Sequence, residues 1–399
     1  MKKKIIRALS MLLCVLMCVS ALPVQTLAAG TTGLSIRRSA GTTVSVKQGE
    51  KVTITIKATG GNLKYQWFYR KNAKASWVKY SGKTKPTLSF IAGRIDGYQY
   101  RCRVSNSKGT TYSKIYTLKV DQIEYRALLI GETYAGISGM TAVEEGATGV
   151  AAMKQLLARV AGGKGGSYSV VAPNELKVSK EEIKSLIDST FSGADDNDVA
   201  LFYFAGSGDV DAAGSNAGRL FTDEGSTTGL LTLNELASKL KEIKGEVIVI
   251  LATGRGSGAG LYENGAASNA RAEAARFNKA VISAFAAANR TIVRNGPASN
   301  TGELRSSKFY VLTDTAYQET GWSYTYSEGT TFIDAFTYHL LNGTAPVSGA
   351  LAADADKNST VTLGEMYAFI KGKMQADMIT QNVQVYPSAT STYPLFKKK

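Results

Sequence analysis

The hydrophobic pattern of the chain changes character near residue 124. Before that point apolar and polar residues alternate, the period of strands with one buried face. Residues 51–58 place Val52, Ile54 and Ile56 on one side, and residues 63–70 follow the turn Gly60-Gly61-Asn62. Further alternating runs occupy 96–104 and 114–120. Short strands separated by glycine and asparagine turns predict an all-β sandwich over residues 33–121.

After residue 124, unbroken apolar runs alternate with helical periods, the mark of a parallel sheet flanked by helices. Strands are expected at 126–131, 168–171, 198–207, 247–251 and 308–313. Helices are expected at 148–160, from Ser179 with Glu182 completing a capping box, and at 231–243, 278–288, 331–341 and 363–374. An extended tail, 383–396, closes the chain. The expectation is an α/β domain over residues 124–396 with a mostly parallel central sheet.

The stretch 245–260, GEVIVILATGRGSGAG, carries most of the functional argument. Val247 to Leu251 reads as a buried central strand. In open α/β sheets the chemistry sits just past the carboxyl ends of such strands. The positions in question are Ala252, Thr253, Gly254 and Arg255. The neighbouring strand run ends similarly, in the glycine-flanked Ser207. Gly254, Gly256 and Ala259 match a short dinucleotide fingerprint, with Glu273 some 20 residues on. A Gly/Ala/Asn-rich link, 259–271, follows where that fingerprint needs a helix, and it reads instead as an exposed, cleavable loop. Ser257 has no sequence-visible base and reads as a loop serine. The only histidine, His339, lies in an apolar helical pattern with Phe332, Phe336 and Leu340 and reads as structural.

Residues 1–29 look like a secretory signal peptide. Lys2, Lys3, Lys4 and Arg7 precede an apolar run, and Thr26-Leu27-Ala28 offers a small-residue cleavage site. Cleavage would lower the formal net charge of +15 to +11, by removing four basic residues and no acids. A basic exported protein suits anionic surfaces such as wall polymers, or acidic partners. No nucleic-acid partner and no membrane span are expected. Cys102 would be the one cysteine left, so no intramolecular disulfide forms.

Asp354, Asp356, Asn358, Thr360, Thr362 and Glu365 occupy positions 1, 3, 5, 7, 9 and 12 of an EF-hand-type calcium loop. Ser359 replaces the turn glycine at position 6, and no strong helix precedes the loop. The competing reading is a polar turn capping the next helix. Calcium is the expected ligand, with affinity in the extracellular range of about 10⁻⁴ to 10⁻³ M.

Two resemblances complete the reading. Trp67, Tyr100 and Cys102 resemble immunoglobulin-type landmarks, with Ile56 where a first cysteine would stand and Cys102 as a buried thiol. From Arg126-Ala-Leu-Leu-Ile-Gly131 onward, the chain is similar to the caspase-like cysteine peptidases, particularly secreted bacterial ones related to clostripain and gingipains. The tail motifs Gln381-Asn-Val-Gln-Val-Tyr-Pro387 and Tyr393-Pro-Leu-Phe396 share that likeness. The resemblance implies a histidine base at the position of Ser207 and a cysteine nucleophile at Gly254. It also implies, at Ala252, an acidic residue that holds Lys or Arg in basic-specific members. Cysteine catalysis needs a thiolate and a proton acceptor, and none of the three positions supplies one. The expectation is an inactive homologue, or a disabled variant, acting by binding or regulating a peptide, a related peptidase or the wall. The alternative is an endopeptidase, acting after basic residues, whose activity depends on residues that these motifs do not reveal.

Overall fold

In the computed structural model the described residues are 34–36, 42–137, 142–174, 177–210, 218–222, 229–253, 270–295, 307–315, 323–326, 331–379 and 383–399. The chain forms two compact units, Met1–Val120 and Asp121–Lys399. The expected leader, residues 1–29, lies outside the described residues.

The first unit is all β. Strands β1 (Thr43–Lys47), β2 (Lys51–Thr55), β3 (Lys64–Arg70), β4 (Val78–Lys79), β5 (Thr87–Ile91), β6 (Gln99–Asn106), β7 (Gly109–Tyr112) and β8 (Tyr116–Asp121) follow in order. One sheet runs β1-β8-β6-β3-β4, with β7 added to β6, and β2 pairs separately with β5. Val52, Ile54 and Leu88 of the smaller pair share one core with Trp67, Cys102 and Val104 of the larger sheet. The alternation seen in the sequence is the cause, since every second residue of each strand points inward. Trp67 and Cys102 are direct register partners, both fully buried. The Trp67 indole donates to the Lys85 carbonyl at 2.9 Å.

The second unit is built on a six-stranded sheet. Its strands are β9 (Tyr125–Gly131), β10 (Tyr168–Val171), β11 (Val199–Ala205), β12 (Glu246–Thr253), β13 (Phe309–Thr315) and a late strand, Gln384–Tyr386. The order is β10-β9-β11-β12-β13 followed by the late strand. All neighbours are parallel except that last pair. Both faces of the sheet are covered, so β11 is buried at every residue. One face, with Tyr203, Ile250 and Leu312, packs on α1 (Glu145–Arg159), α5 (Ala335–Gly343) and α6 (Leu363–Ala376). The other, with Phe202, Val249 and Val311, packs on α2 (Lys180–Thr190), α3 (Leu233–Lys241) and α4 (Ala270–Asn295).

Several sequence expectations need correction. The Ser179 hydroxyl caps α2 by accepting from the Glu182 N–H, and the full reciprocal box stands instead at Thr232 and Glu235 of α3. The expected helix 331–341 begins only at Ala335. Thr331–Asp334 is a strand paired with Ser323–Tyr326, and Asp334 is the extended N-cap residue. Phe332 is therefore half exposed rather than part of an apolar helix face. Helix α4 starts at Ala270, so residues 270–271 of the expected loop are helical; residues 259–269 of it lie outside the described residues.

Close backbone approach fixes where α1 meets the sheet. A Cβ on Gly146 would lie 2.2 Å from the Glu132 carbonyl oxygen, and one on Gly131 would lie 2.3 Å from that of Gly146. Only glycine fits at either position. The first turn of α1 is thereby held against the carboxyl end of β9.

Candidate functional site

Parallel pairing aligns the carboxyl ends of three strands. Ala205 of β11 is the register partner of Ala252 in β12, and Ala252 is that of Asp314 in β13. The Gly206 N–H donates to the Ala252 carbonyl at 3.1 Å, extending the ladder by one residue. The Ser207 N–H then donates to the Tyr134 hydroxyl at 2.7 Å, which donates in turn to the Phe221 carbonyl at 3.2 Å. Tyr134 is fully buried, and burial pushes its phenol far above the ordinary range. Ser207 is buried too, and its hydroxyl has no hydrogen-bond partner among the described residues. Among the described residues nothing turns that hydroxyl into a base.

The charge of the site comes from residues that sequence reasoning missed. Asp314 is completely buried, and neither carboxylate oxygen has a hydrogen-bond partner among the described residues. The Thr253 hydroxyl donates to its backbone carbonyl at 2.6 Å instead. Burial, and secondarily Asp334, push the Asp314 carboxyl well above the usual carboxylate range. Asp334 caps α5, accepting from the Thr337 N–H at 2.9 Å, while its second oxygen is buried without a partner. Burial raises it to about 6 against the opposing cap bonds. Glu132, at the end of β9, is also fully buried and accepts from the Val178 N–H at 3.1 Å. A polar residue continuing the apolar run Tyr310-Val-Leu-Thr-Asp314 was the available signal, because acids are rarely fully buried unless paired.

Burial without a counter-charge favours the neutral form of Asp314. An arriving guanidinium or ammonium would favour the ionised form and be held by it.

The comparison with family models settles the framework. Residues 124–391 match the model of the caspase domain. The chain belongs to that family. Among solved structures, a protein from Geobacter sulfurreducens is 16% identical, covering 69% of this chain and 100% of its own, at a TM-score of 0.39. The N-terminal four immunoglobulin domains of Dscam1 isoform 6.9 are 23% identical, covering 22% of this chain and 21% of theirs, at a TM-score of 0.18. Neither score is high enough to bear on fold or function. No curated protein matches the chain.

Of the positions expected from the resemblance, Ser207 is buried just past β11, and Ala252 is buried near the end of β12. Gly254 and Ser257 lie outside the described residues, as does the fingerprint of Gly254, Gly256 and Ala259. The residues after β12 that the fingerprint concerns, 254–269, lie outside the described residues, and α4 is described from Ala270. Glu273 lies within α4. His339 sits in α5, buried, with Nε2 at 3.2 Å from the Asp377 carboxylate and 3.3 Å from the Tyr324 hydroxyl. Burial holds its pKa below the ordinary value despite Asp377. It borders a cavity of ≈ 840 Å³ together with Tyr338, Asp354, Lys373 and Asp377, rather than the residues around Ser207.

The six residues of the expected calcium loop do share one turn. Ligand oxygens of Asp354, Asp356 and Glu365 lie within 4.8 Å of one another. Asp354 accepts from the N–H groups of Asn358 and Ser359, at 3.1 and 2.9 Å. Glu365 accepts from the Thr362 N–H and hydroxyl, each at 2.8 Å, while Thr362 caps α6. Asn358 donates from its side chain to Asp356 at 2.7 Å and accepts from the Thr360 N–H at 2.8 Å. The polar turn and the acidic cluster are therefore the same object. Ser359 has a φ of +73°, the backbone conformation that the position-6 glycine normally supplies.

The buried acids make a pH prediction. Asp334 has a folded pKa of about 6 against an ordinary 3.8, so the native state binds more protons than the unfolded state between those values. Its contribution to stability is full below the lower value and is lost as pH rises to the upper one. Asp334→Asn keeps an N-cap acceptor and removes that loss. Urea unfolding of both proteins should show the variant gaining up to about 3 kcal/mol on the parent between pH 4 and pH 7. A pH-independent difference would mean that Asp334 is ionised throughout.

Proposed function

We propose that this protein is a non-catalytic member of the caspase family that holds a basic side chain of a peptide or protein partner without cutting it. One observation carries this reading: the matched region, residues 124–391, contains no cysteine, since the chain's three stand at 14, 18 and 102. Covalent peptidase chemistry of this family has no sulfur to run on. Cys102 belongs to the other unit, is fully buried, and burial pushes its thiol up to about 11. That removes the support for a cysteine endopeptidase acting through an unrecognised nucleophile.

Binding is what the residues around Ala252 still support. The acidic pocket residue is missing at 252, and Asp314 stands beside it on the next strand with an unsatisfied carboxylate. A guanidinium there would supply the missing hydrogen bonds and the opposite charge together. In the same reading residues 1–29 direct export, and the β unit serves as an immunoglobulin-like module, the paired Trp67 and Cys102 being its core landmark.

Fluorescence anisotropy with a matched pair of peptides, one carrying Arg and one norleucine, tests this function. The Arg peptide should bind more tightly, be recovered intact, and lose about tenfold in affinity with Asp314→Asn, about 1.4 kcal/mol. Equal binding of both peptides, unchanged by the substitution, would contradict it.

The loop of Asp354, Asp356 and Glu365 supports a second proposal, weak calcium binding that stabilises the start of α6. Ser359 already holds the conformation that the loop needs. Millimolar calcium should raise the unfolding temperature of the unmodified protein by linkage, and Asp354→Ala with Glu365→Ala should abolish the rise. No rise in the unmodified protein would leave the turn as a helix cap alone.

A further inference from the structure

The positive charge of this chain is confined to its first unit. Residues 42–120 contain 16 Lys or Arg and two acids, Glu50 and Asp96, whereas residues 122–399 contain 25 basic residues and 29 acids. Both acids of the first unit are occupied by the backbone, Glu50 with the Lys47 N–H and Asp96 with the Val120 N–H.

On the outer face of the larger sheet, the arginines are stacked rather than paired. Residues 68 and 70 of β3 and residues 101 and 103 of β6 point away from the core that takes Trp67 and Cys102. The guanidiniums of Arg70 and Arg101 lie 4.6 and 4.2 Å from the centre of the Trp77 ring. Arg101 also lies 4.5 Å from the Tyr112 ring, and Arg103 lies 5.9 Å from Phe68. Phe68 and Tyr112 are themselves 6.4 Å apart. Arg70 is held in place by a 2.8 Å bond from its Nε to Gln99. None of the three has a carboxylate partner among the described residues, and the Nε of Arg101 is buried without an acceptor.

This arrangement decides between ligand classes. A surface that stacks nucleobases or sugars needs open ring faces. Here guanidiniums lie over the Trp77 and Tyr112 rings, and the groups left to meet a ligand are the N–H donors of the forks. Those donors match tetrahedral oxyanions bidentately. Arg101 and Arg103 are alternate residues of one strand, so their repeat is about 6.8 Å. A glycerol phosphate unit has six backbone bonds, twice those of an amino-acid residue, and extends to about 7 Å. We propose that the Arg70–Arg101–Arg103 face binds a linear phosphodiester polymer of the poly(glycerol phosphate) type, one phosphate per arginine.

The full chain, titrated calorimetrically with synthetic poly(glycerol phosphate), tests the proposal. Arg70→Gln, Arg101→Gln and Arg103→Gln together should weaken binding by about tenfold or more. Lysine at the same three positions keeps the charge but not the fork, and should still weaken binding by about threefold or more. Lys51→Gln, Lys57→Gln and Lys85→Gln remove equal charge away from this face and should change affinity by less than about twofold. Near-ultraviolet circular dichroism verifies that each variant keeps the fold. Equal losses from both glutamine triples, or full retention by the lysine triple, would overturn the proposal in favour of diffuse attraction. Tighter binding of an oligothymidylate than of the polymer would overturn it in favour of nucleic acid.

Discussion

The register of three parallel strands sets the terms of the caspase domain. Ala205, Ala252 and Asp314 stand in one row because β11, β12 and β13 pair without a bulge up to that level. Two members of the row are methyl groups, and the third is a buried carboxyl group with nothing to bond to. Helix α1 is held close by two glycines whose backbones touch, and Asp334 enters from the cap of α5. A carboxyl group kept in such a place costs stability unless it is protonated or meets a cation. The proposed binding of a basic side chain rests on that one unsatisfied carboxyl group.

The two units divide the electrostatic work. The caspase domain buries Asp314 and Asp334, and the β unit carries Arg70, Arg101 and Arg103 on the outer face of its larger sheet. Stacking on Trp77, Tyr112 and Phe68 keeps those guanidiniums ordered without neutralising them. Ring contacts of this type are worth about 0.5–1 kcal/mol each at exposed sites, enough to orient a side chain and too little to make the face self-sufficient.

Much of this was legible in the residue pattern, and for physical reasons. Runs such as Val199–Ala205 are apolar throughout because helices cover both sides of the sheet, so these buried strands could be read directly. The sandwich was legible from Val52 and Ile54, whose alternation marks one inward face. What failed was local competition. Residues 331–334 have a helical spacing of apolar groups, but pairing with residues 323–326 and the capping carboxyl of Asp334 start the helix later. Asp314 was invisible for a different reason: only the register reveals that its neighbour is Ala252, and pairing across strands is not written in local periodicity. The spacing from Asp354 to Glu365 was legible, as was the competing reading of a helix cap, but the reciprocal bonding of Thr362 and Glu365 is set only by the folded turn.

The most direct measurement is peptide hydrolysis by the unmodified chain, run beside Ser207→Ala and Asp314→Asn and read by mass spectrometry over long incubation. A domain without a thiol between residues 124 and 391 should leave peptides with Lys, Arg or Asp uncut in all three proteins. Hydrolysis that copurifies with the unmodified chain and disappears in either variant would contradict the non-catalytic account.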